Sequence, residues 1–466
     1  MRLRRARHRP ISGFAGSWSV YGLVLPGIFR ALTIPLAAFK DLSALAAVCS
    51  SICGQVLVLK EVAMTLLDEL ASLDAWQSFL QYKKTLAVPT PFEKDLEEFI
   101  SGKDYLSVYE RIMCGERFSL PERAVISKMY NQKKRVVYTY PPAENMVLKL
   151  LTYLLLRKYD SIFSEGLYSF RPGRTAKDAV RRLSSTRGIR DMYSYKADIS
   201  NYFNSVNVEK LLPMLEKVLG GDTALYSFLS ALLTEEHVSD RGEIITEKKG
   251  IMAGTPLSSF YANLYLSELD SLFCERNIPY SRYSDDIILF APSREEAEEY
   301  ACQVRDFIAG KDLSINPDKE VFRGPDEGWT FLGFCCKGSK VDIAPASVMK
   351  LKQKMRRKSR ALQRWRKRNG LSGEKAAAAF IRVFNRKLME ASEDSDLTWS
   401  FWFFSVINTA ETLREIDRYA QDCIRYLISG SRSKSRYNVR YEDMKKLGYR
   451  SLVNSYYSFT DTAADK

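Results

Sequence analysis

The stretch Arg282-Tyr283-Ser284-Asp285-Asp286-Ile287-Ile288-Leu289-Phe290 decides the fold of this chain. β-Branched and aromatic residues follow two adjacent carboxylates, and this pattern predicts a β-hairpin with Asp285 and Asp286 at its tip. Desolvating unpaired carboxylates in an apolar setting is unfavourable unless a cation neutralises them. Hard divalent cations prefer carboxylate oxygens of this kind. Because an isolated Asp-Asp pair is most often a solvated turn, a metal site here requires another carboxylate elsewhere in the chain.

The segment that ends at Asp198 supplies that carboxylate. Residues 194–206 (SYKADISNYFNSV) have the pattern of a strand that ends in a single Asp and turns into a helix. A strand-end Asp facing a hairpin Asp pair suits two metal ions roughly 3.5–4 Å apart, which stabilise the attacking and leaving oxygens of a phosphoryl displacement. Between these carboxylates, residues 250–266 (GIMAGTPLSSFYANLYL) predict a loop that opens a helix and lets the backbone approach a nucleotide or template base.

In this order, the segments resemble the reverse transcriptases of prokaryotes. Residues 313–319 (LSINPDK) are similar to that family's Leu-x-Leu-Asn-x-x-Lys segment, and residues 331–334 (FLGF) to its primer-grip strand. Upstream, residues 167–176 (LYSFRPGRTA) are similar to the Tyr-Gly-Phe-Arg-Pro-Gly-Arg stretch of group II intron enzymes. The resemblance implies an α+β fold: right-hand polymerase fingers and palm with an antiparallel palm sheet, then an α-helical thumb and a C-terminal helical tail. It also implies RNA-directed DNA polymerase activity.

The resemblance assigns the metal site. It implies that Asp198, Asp285, Asp286 and the carbonyl of Ile199 form a catalytic site that holds two Mg²⁺ ions, which Mn²⁺ can replace. Asp286 matches the third acidic position of the family, which is usually a weaker or structural contributor.

The resemblance also assigns a nucleotide site. The residues implied are Lys134, Arg135, Arg171, Phe203, Gly254 and Lys319. Phe203 matches an aromatic gate against the 2′-hydroxyl, with a core aromatic as the alternative. Lys134 and Arg135 match a strand that holds the triphosphate, with a solvated strand end as the alternative. Lys319 is expected to neutralise or protonate the leaving pyrophosphate.

One segment departs from the family pattern. The glycine loop of the family usually begins Pro-Gln-Gly, whereas this chain has Met252-Ala253-Gly254. The departure removes a side chain able to hydrogen-bond, so we expect unusual fidelity, sugar selection or templating, with the metal site unaffected.

Charge and its distribution indicate a polyanionic partner. The net charge is +14 and the isoelectric point is near 9.2. Residues 350–368 (KLKQKMRRKSRALQRWRKR) contain no acidic residue, and Leu351, Met355, Leu362 and Trp365 recur at helical spacing. This pattern predicts a thumb helix with a basic outer face that binds phosphates without reading sequence. The basic residues assigned to nucleic-acid binding are Lys350, Lys354, Arg357, Arg364 and Arg368.

The chain is expected to divide into three parts: an apolar extension over residues 1–63, fingers and palm over 64–340, and a helical thumb and tail over 341–466. Residues 441–457 of the tail resemble the stand-alone phage-defence reverse transcriptases, the abortive-infection and "unknown group" relatives. This implies a bacterial cytoplasmic enzyme that copies a structured non-coding RNA into DNA from dNTPs in antiphage defence. Two alternatives stay open: template-independent or protein-primed DNA synthesis, and an RNA-binding maturase-like splicing cofactor. The sequence gives no indication of oligomeric state.

The first 63 residues have a different character. Arginines precede two uncharged stretches, residues 11–29 and 42–59, each near the length of about 20 residues that spans a bilayer. Three interpretations remain: an overextended reading frame that precedes a start at Met64, a packed or partner-binding helical arm, and a membrane anchor. Membrane association is the least favoured of them.

Histidine and cysteine usage disfavours an appended endonuclease module. The chain contains two histidines, His8 and His237, and its eight cysteines lack zinc-site spacing. Cysteines without a disulfide-like pattern suit a reducing cytosol.

Overall fold

A computed structural model describes residues 65–86, 91–127, 134–390 and 399–464. The described residues lie within a single compact unit, Met64–Lys466, of mixed α+β structure. The three interpretations given above for residues 1–63 concern residues that lie outside the described ranges. Within those ranges, no helix is long and apolar enough to cross a bilayer.

The first half of the described chain mixes helices with short strands. Its elements are α1 (Leu73–Leu86), α2 (Pro91–Ser101), α3 (Tyr105–Met113), β1 (Glu122–Ser127), β2 (Lys134–Thr139), α4 (Pro142–Lys158), α5 (Ala176–Ser185), β3 (Tyr193–Asp198), α6 (Tyr202–Ser205), α7 (Val208–Leu219), α8 (Thr223–Thr234), β4 (His237–Asp240), β5 (Glu243–Thr246), α9 (Ser258–Tyr265) and α10 (Ser267–Glu275).

The second half begins with strands and ends in helices. Its elements are β6 (Tyr280–Tyr283), β7 (Asp286–Ala291), α11 (Arg294–Gly310), β8 (Val321–Arg323), β9 (Trp329–Phe331), β10 (Phe334–Lys337), β11 (Lys340–Ile343), α12 (Pro345–Arg368), α13 (Gly373–Leu388), α14 (Trp399–Phe404), α15 (Glu411–Ser429), α16 (Tyr441–Lys446) and α17 (Leu452–Ala464). The predicted helical C-terminal region is confirmed.

The central sheet has the strand order β6-β7-β3-β8, and every pairing in it is antiparallel. One face of β3 and β7, which includes Tyr195 and Leu289, packs in a core shared with the preceding helices. Ile288 and Phe290 on the opposite face join a second core formed with the C-terminal helices. Because both faces are covered, the sheet is a rigid platform for the residues at its ends. The predicted antiparallel palm sheet is confirmed.

The described residues form two further, smaller sheets. One has the order β2-β1-β4-β5, with β1 and β4 parallel and the other pairs antiparallel. The other, β11-β10-β9, is antiparallel and lies between the central sheet and α12 in the chain. The segment predicted as a single primer-grip strand is instead a tight turn between β9 and β10, because Leu332 and Gly333 both have positive φ, 51° and 90°.

Candidate active site

The two predicted carboxylate segments meet at one end of the central sheet. β3 ends at Asp198, which lies opposite Asp286, the first residue of β7. Ser284 and Asp285 form the turn between β6 and β7, and Ser284 adopts a left-handed φ of 62° that fits a two-residue hairpin. The backbone N–H of Ile199 donates to the carbonyl of Asp285 at 3.0 Å. A backbone hydrogen bond therefore links the β6–β7 turn to the residue that follows β3.

The carboxylates of this site repel one another. Burial raises the pKa of Asp285, and the charge of Asp198 raises it further, against the opposing effects of Lys319 and Arg135. Burial also raises the pKa of Asp286, to about 6, although Lys196 favours its ionised form. The protein therefore holds negative charge where it is unfavourable without a cation.

Two lysines partly balance that charge. Nζ of Lys319 donates to Oδ1 of Asp198 at 2.6 Å. Nζ of Lys196 lies 3.1 Å from Oδ1 of Asp286, and this ion pair favours the ionised carboxylate. Neighbouring, partly buried carboxylates whose negative charge two lysines only partly offset fit a site for a divalent cation.

The oxygen atoms available at this site suit a Mg²⁺ ion that is coordinated by both the protein and a substrate. Among the described residues, no group of three or more His, Cys, Asp or Glu side chains has the arrangement of an all-protein metal cage. Mg²⁺ usually takes one or two carboxylates, keeps several waters and fills the remaining positions with substrate phosphates. Asp198 and Asp285 can provide those carboxylates, with the adjoining carbonyl of Ile199 as a further oxygen. The metal-ligand roles stay predictions.

A buried ion pair beneath the turn was not predicted from the sequence. Arg282, in β6, binds Asp270 through two hydrogen bonds of 2.7 and 2.6 Å, and both side chains are fully buried. Arg282 also donates to the carbonyl of Ser284 at 3.2 Å, and the hydroxyl of Tyr280 donates to Asp270 at 2.8 Å. This network fixes the turn that carries Asp285. The only sequence signal for this ion pair was the presence of an Arg in a strand whose neighbouring residues were expected to be buried.

Phe203 lies shortly after Asp198 in the chain and contacts the glycine loop. The ring of Phe203 is half-buried and packs edge-on against Phe170, with ring centroids 6.4 Å apart. The carbonyl of Phe203 accepts a hydrogen bond from Ile251 at the start of the loop. The loop is anchored to β2, because Tyr138 donates from its N–H to the carbonyl of Ala253 at 2.8 Å.

Gly254 is at a position that only glycine fits. Its φ is +106°, and an added Cβ would lie 2.9 Å from the carbonyl oxygen of Tyr138. Met252 and Ala253, which depart from the family pattern, are buried. Glycine at position 254 therefore allows the loop to pack closely against β2. A contact between Gly254 and a nucleotide stays a prediction.

The predicted basic residues fall into different surroundings. Lys134 and Arg135 are exposed at the start of β2, and Arg135 acts electrostatically on Asp285. Arg171 is buried, with its guanidinium bound twice to Asp160 at 2.7 and 3.0 Å. Its charge is therefore compensated within the protein, and a nucleotide contact by Arg171 stays a prediction.

The basic helix α12 has the expected outer face. All five residues assigned to nucleic-acid binding are exposed. Met355 and Leu362 are buried as predicted and Leu351 is partly buried, but the prediction for Trp365 was wrong, because its side chain is 39% exposed. Ser359 and Gln363 occupy the buried positions that continue the stripe.

Comparison with known families identifies the central part of the chain. Residues 126–336 match the family model described as "Reverse transcriptase (RNA-dependent DNA polymerase)". These residues form a reverse transcriptase domain. It contains all three carboxylates, and it ends before helix α12 begins. The interpretation of the chain as an RNA-directed DNA polymerase is confirmed at this level.

Two curated proteins are similar to this chain. Protein YkfC of Escherichia coli (strain K12) is 22% identical over an alignment of 263 residues, and the match covers 48% of this chain and 68% of that protein. An uncharacterized 91 kDa protein in a cob intron of Schizosaccharomyces pombe is 26% identical over an alignment of 155 residues. This match covers 32% of this chain and 18% of that protein, which is less than a fifth of the fission-yeast relative.

Solved structures similar to the chain include two telomerases. Apo telomerase from Candida tropicalis, truncated from its C-terminal domain, has a TM-score of 0.41 and 12% identity, covering 49% of this chain and 55% of that one. Telomerase from Candida albicans, in complex with a TWJ fragment of telomeric RNA, has a TM-score of 0.38 and 11% identity, covering 76% of this chain and 71% of that one.

Proposed function

We propose that this protein is an RNA-directed DNA polymerase that uses two Mg²⁺ ions to add dNTPs. The observation that carries the proposal is the register of β3 against β7, which sets Asp198 opposite Asp286 beside the turn residue Asp285. The ligands proposed are Asp198, Asp285 and the carbonyl of Ile199, with Mn²⁺ as a substitute metal. Bound divalent ions would supply charge stabilisation for the attacking and leaving oxygens.

The surrounding side chains have complementary roles in this proposal. Asp286 is paired with Lys196 and supports the site from the sheet. Arg135, whose charge acts on Asp285, binds the triphosphate together with Lys134. Lys319, which donates a hydrogen bond to Asp198, neutralises the pyrophosphate or gives it a proton as that group leaves. Phe203 excludes the 2′-hydroxyl of a ribonucleotide.

The division into domains follows the same proposal. Fingers and palm occupy residues 64–340, and thumb and tail occupy residues 341–466. The exposed basic face of α12 binds the template–product duplex through its phosphates. A net charge of +14 supports a nucleic-acid partner.

We further propose a biological setting, a bacterial cytoplasm in which the enzyme copies a structured non-coding RNA during antiphage defence. The support is the resemblance of residues 441–457 to tails of stand-alone defence reverse transcriptases. Sequencing the nucleic acid that co-purifies with the tagged protein tests this setting. A single RNA recovered together with its complementary DNA is the expected result, and unrelated cellular RNA without complementary DNA would contradict it.

The polymerase proposal is tested with purified protein, an RNA template annealed to a DNA primer, Mg²⁺ and dNTPs. The expected product is primer-extended DNA whose sequence complements the RNA. DNA of unrelated sequence, or DNA whose mobility changes after protease treatment, would instead indicate template-independent or protein-primed synthesis. Absence of incorporation with every template would contradict the proposal.

A further inference from the structure

Asn204 follows Phe203 in the short helix α6, and its side chain joins two segments that are distant in the sequence. Oδ1 of Asn204 accepts a hydrogen bond from the N–H of Ala253 at 2.9 Å. Nδ2 of the same amide donates to the carbonyl of Val136 at 3.2 Å. Ala253 belongs to the glycine loop, and Val136 lies in β2. One side chain therefore connects α6, the glycine loop and β2.

The amide of Asn204 extends the contact between the glycine loop and the edge of β2, an outer strand of its sheet. The carbonyl of Ala253 accepts directly from the N–H of Tyr138 at 2.8 Å. Val136 and Tyr138 are two residues apart in the strand, so their backbone groups point to the same edge. The link from the N–H of Ala253 to the carbonyl of Val136 passes through the amide of Asn204. Ala253 is buried, and a buried N–H without a partner is unfavourable.

A primary amide suits this position because the two bonds have opposite polarity. The N–H of Ala253 can only donate and the carbonyl of Val136 can only accept, which fixes the end of the Asn204 amide that faces each group. A carboxylate at residue 204 would accept from Ala253 but repel the carbonyl of Val136. An alanine side chain would make neither bond. Aspartate and alanine at this position therefore separate the loss of one bond from the loss of both.

The two residues before Asn204 also bind α6 to the segment that contains the loop and α9. The hydroxyl of Tyr202 donates to the carbonyl of Ala262 at 2.6 Å. The carbonyl of Phe203 accepts from the N–H of Ile251 at 2.9 Å. Neither of these bonds involves β2. In the described part of the chain, α6 is hydrogen-bonded to β2 through Asn204 alone.

The glycine loop has no polar side chain at residue 253. Where the family that the chain resembles has Pro-Gln-Gly, this chain has Met252-Ala253-Gly254. A methyl group forms no hydrogen bond, so the loop is held at this residue by its backbone. Tyr138 binds the carbonyl of Ala253 and Asn204 binds its N–H. The position of the loop therefore depends directly on the amide of Asn204.

β2 and α6 each carry a side chain that the proposed function assigns to the incoming nucleotide. Arg135, next to Val136 in β2, is proposed to bind the triphosphate. Phe203, next to Asn204 in α6, is proposed to exclude a 2′-hydroxyl. A displacement of about 1 Å between groups that hold a substrate is enough to reduce a rate about 100-fold. The amide of Asn204 sets the separation between these two parts of the nucleotide site.

We propose that Asn204 is a positioning residue for nucleotide selection, which holds the ring of Phe203 at a fixed separation from the strand that carries Arg135. The inference rests on the proposed polymerase function and extends it to a residue that acts through its neighbours. Loss of the amide lets α6 and the loop separate from β2, so dNTP binding weakens and ribonucleotides are excluded less strictly. The carboxylate site keeps its own link, the hydrogen bond from Ile199 to Asp285.

The first measurement needs no polymerase activity. Hydrogen exchange of the full chain, read by mass spectrometry in peptides that cover residues 250–257, reports on the N–H of Ala253. In Asn204→Ala we expect exchange there to be about tenfold faster, whereas Asn204→Asp keeps the acceptor and should stay close to the unsubstituted rate. Asn385→Ala is the matched control, because that side chain also donates to a backbone carbonyl, that of Gly448 at 2.8 Å, but lies in α13. It should leave these peptides unchanged.

The second measurement is steady-state incorporation of dNTPs and rNTPs on a primed RNA template. For Asn204→Ala we expect the KM for dNTP to rise about tenfold and the ratio of kcat/KM for dNTP over rNTP to fall about tenfold. Half-saturation by Mg²⁺ should be unchanged. Asn204→Asp, which loses only the bond to β2, should change both quantities in the same direction by less. Partial unfolding would lower the active fraction, and hence kcat, without altering KM or the ratio.

Three outcomes would overturn the proposal. The first is unchanged exchange of the loop peptides in Asn204→Ala, which would show that the amide does not hold the loop. The second is a lower kcat with unchanged KM and unchanged sugar ratio, which would leave Asn204 with a structural role only. The third is an equal change in Asn385→Ala, which would indicate general loss of stability. Absence of incorporation by the unsubstituted protein would contradict the polymerase proposal instead, and hydrogen exchange would still measure the link through Asn204.

Discussion

Lys319 donates a 2.6 Å hydrogen bond from Nζ to Oδ1 of Asp198, the carboxylate at the end of β3. The same region of the chain is tied to the strand, because the N–H of Asn316 donates to the carbonyl of Asp198 at 2.7 Å. The lysine is more than half exposed, so it can move toward a ligand without disturbing the core. A cation at this position competes with metal for Asp198 and is also within reach of a substrate.

This arrangement predicts a split effect for Lys319→Met. Half-saturation by Mg²⁺ should occur at lower concentration, because the competing ammonium is absent. The kcat should fall by about 100-fold, because the leaving pyrophosphate loses its acid or counter-charge. Steady-state incorporation measured across a Mg²⁺ titration checks both effects, with exposed Lys337→Met as the control. An unchanged kcat at every Mg²⁺ concentration would contradict the assignment.

The Arg282–Asp270 pair should dominate the stability of the turn. Asp270→Asn leaves a fully buried guanidinium without its carboxylate, and we expect a loss of about 3–5 kcal/mol in the free energy of unfolding. Glu298→Gln, in the exposed pair with Arg294, should change it by no more than about 0.5 kcal/mol. Urea denaturation measures both values. Equal effects of the two substitutions would show that the buried pair does not hold the turn.

Gly254→Ala should be more damaging than an ordinary substitution at a left-handed glycine. The added Cβ meets the carbonyl of Tyr138 at 2.9 Å, in addition to the strain of a φ of +106°, so we expect a loss of at least about 2 kcal/mol. Gly338→Ala provides the comparison, because its φ is +58° and its Cβ would lie in open space, with an expected loss of about 1 kcal/mol. Similar losses in urea denaturation would mean that the contact with β2 is unimportant.

Phe203 should control the choice of sugar. Phe203→Ala removes the proposed gate against the 2′-hydroxyl, and we expect ribonucleotide incorporation to rise about tenfold or more relative to deoxynucleotide incorporation. Phe170→Leu is the control, since it removes the ring packed against Phe203 but leaves Phe203 in place. The ratio of kcat/KM for dNTP and rNTP measures the effect. A ratio unchanged in Phe203→Ala would leave Phe203 as a packing residue.

Local patterns in the sequence predicted the parts of the fold that depend on neighbouring residues. The strand ending at Asp198 and the hairpin at Asp285 were found because apolar alternation and adjacent charges lie within a few residues. The predicted helical character of residues 341–466 is observed in helices such as α13 (Gly373–Leu388), whose apolar spacing is regular.

The features that the sequence did not reveal depend on contacts between distant elements. Arg171 resembles a free basic residue until folding places it on Asp160. Lys83 and Lys149 are 66 positions apart in the printed sequence and meet only because α1 packs on α4. Trp365 followed the expected helical spacing, but the buried stripe of α12 passes through Ser359 and Gln363 instead. Polar residues in a buried stripe leave no signal in hydrophobic periodicity.

The most direct test of the central claim is Mn²⁺ binding and dNTP incorporation by Asp198→Asn and Asp285→Asn, substitutions that keep side-chain shape and remove charge. We expect each to weaken Mn²⁺ binding, measured by paramagnetic resonance, and to reduce incorporation on a primed RNA template by about 1000-fold or more. Asp286→Asn should weaken Mn²⁺ binding and incorporation less than the other two substitutions do, because Lys196 already compensates the charge of that carboxylate. Asp306→Asn, exposed on α11, should match the unsubstituted protein. Unchanged Mn²⁺ binding together with near-normal incorporation in Asp198→Asn would contradict the two-metal account.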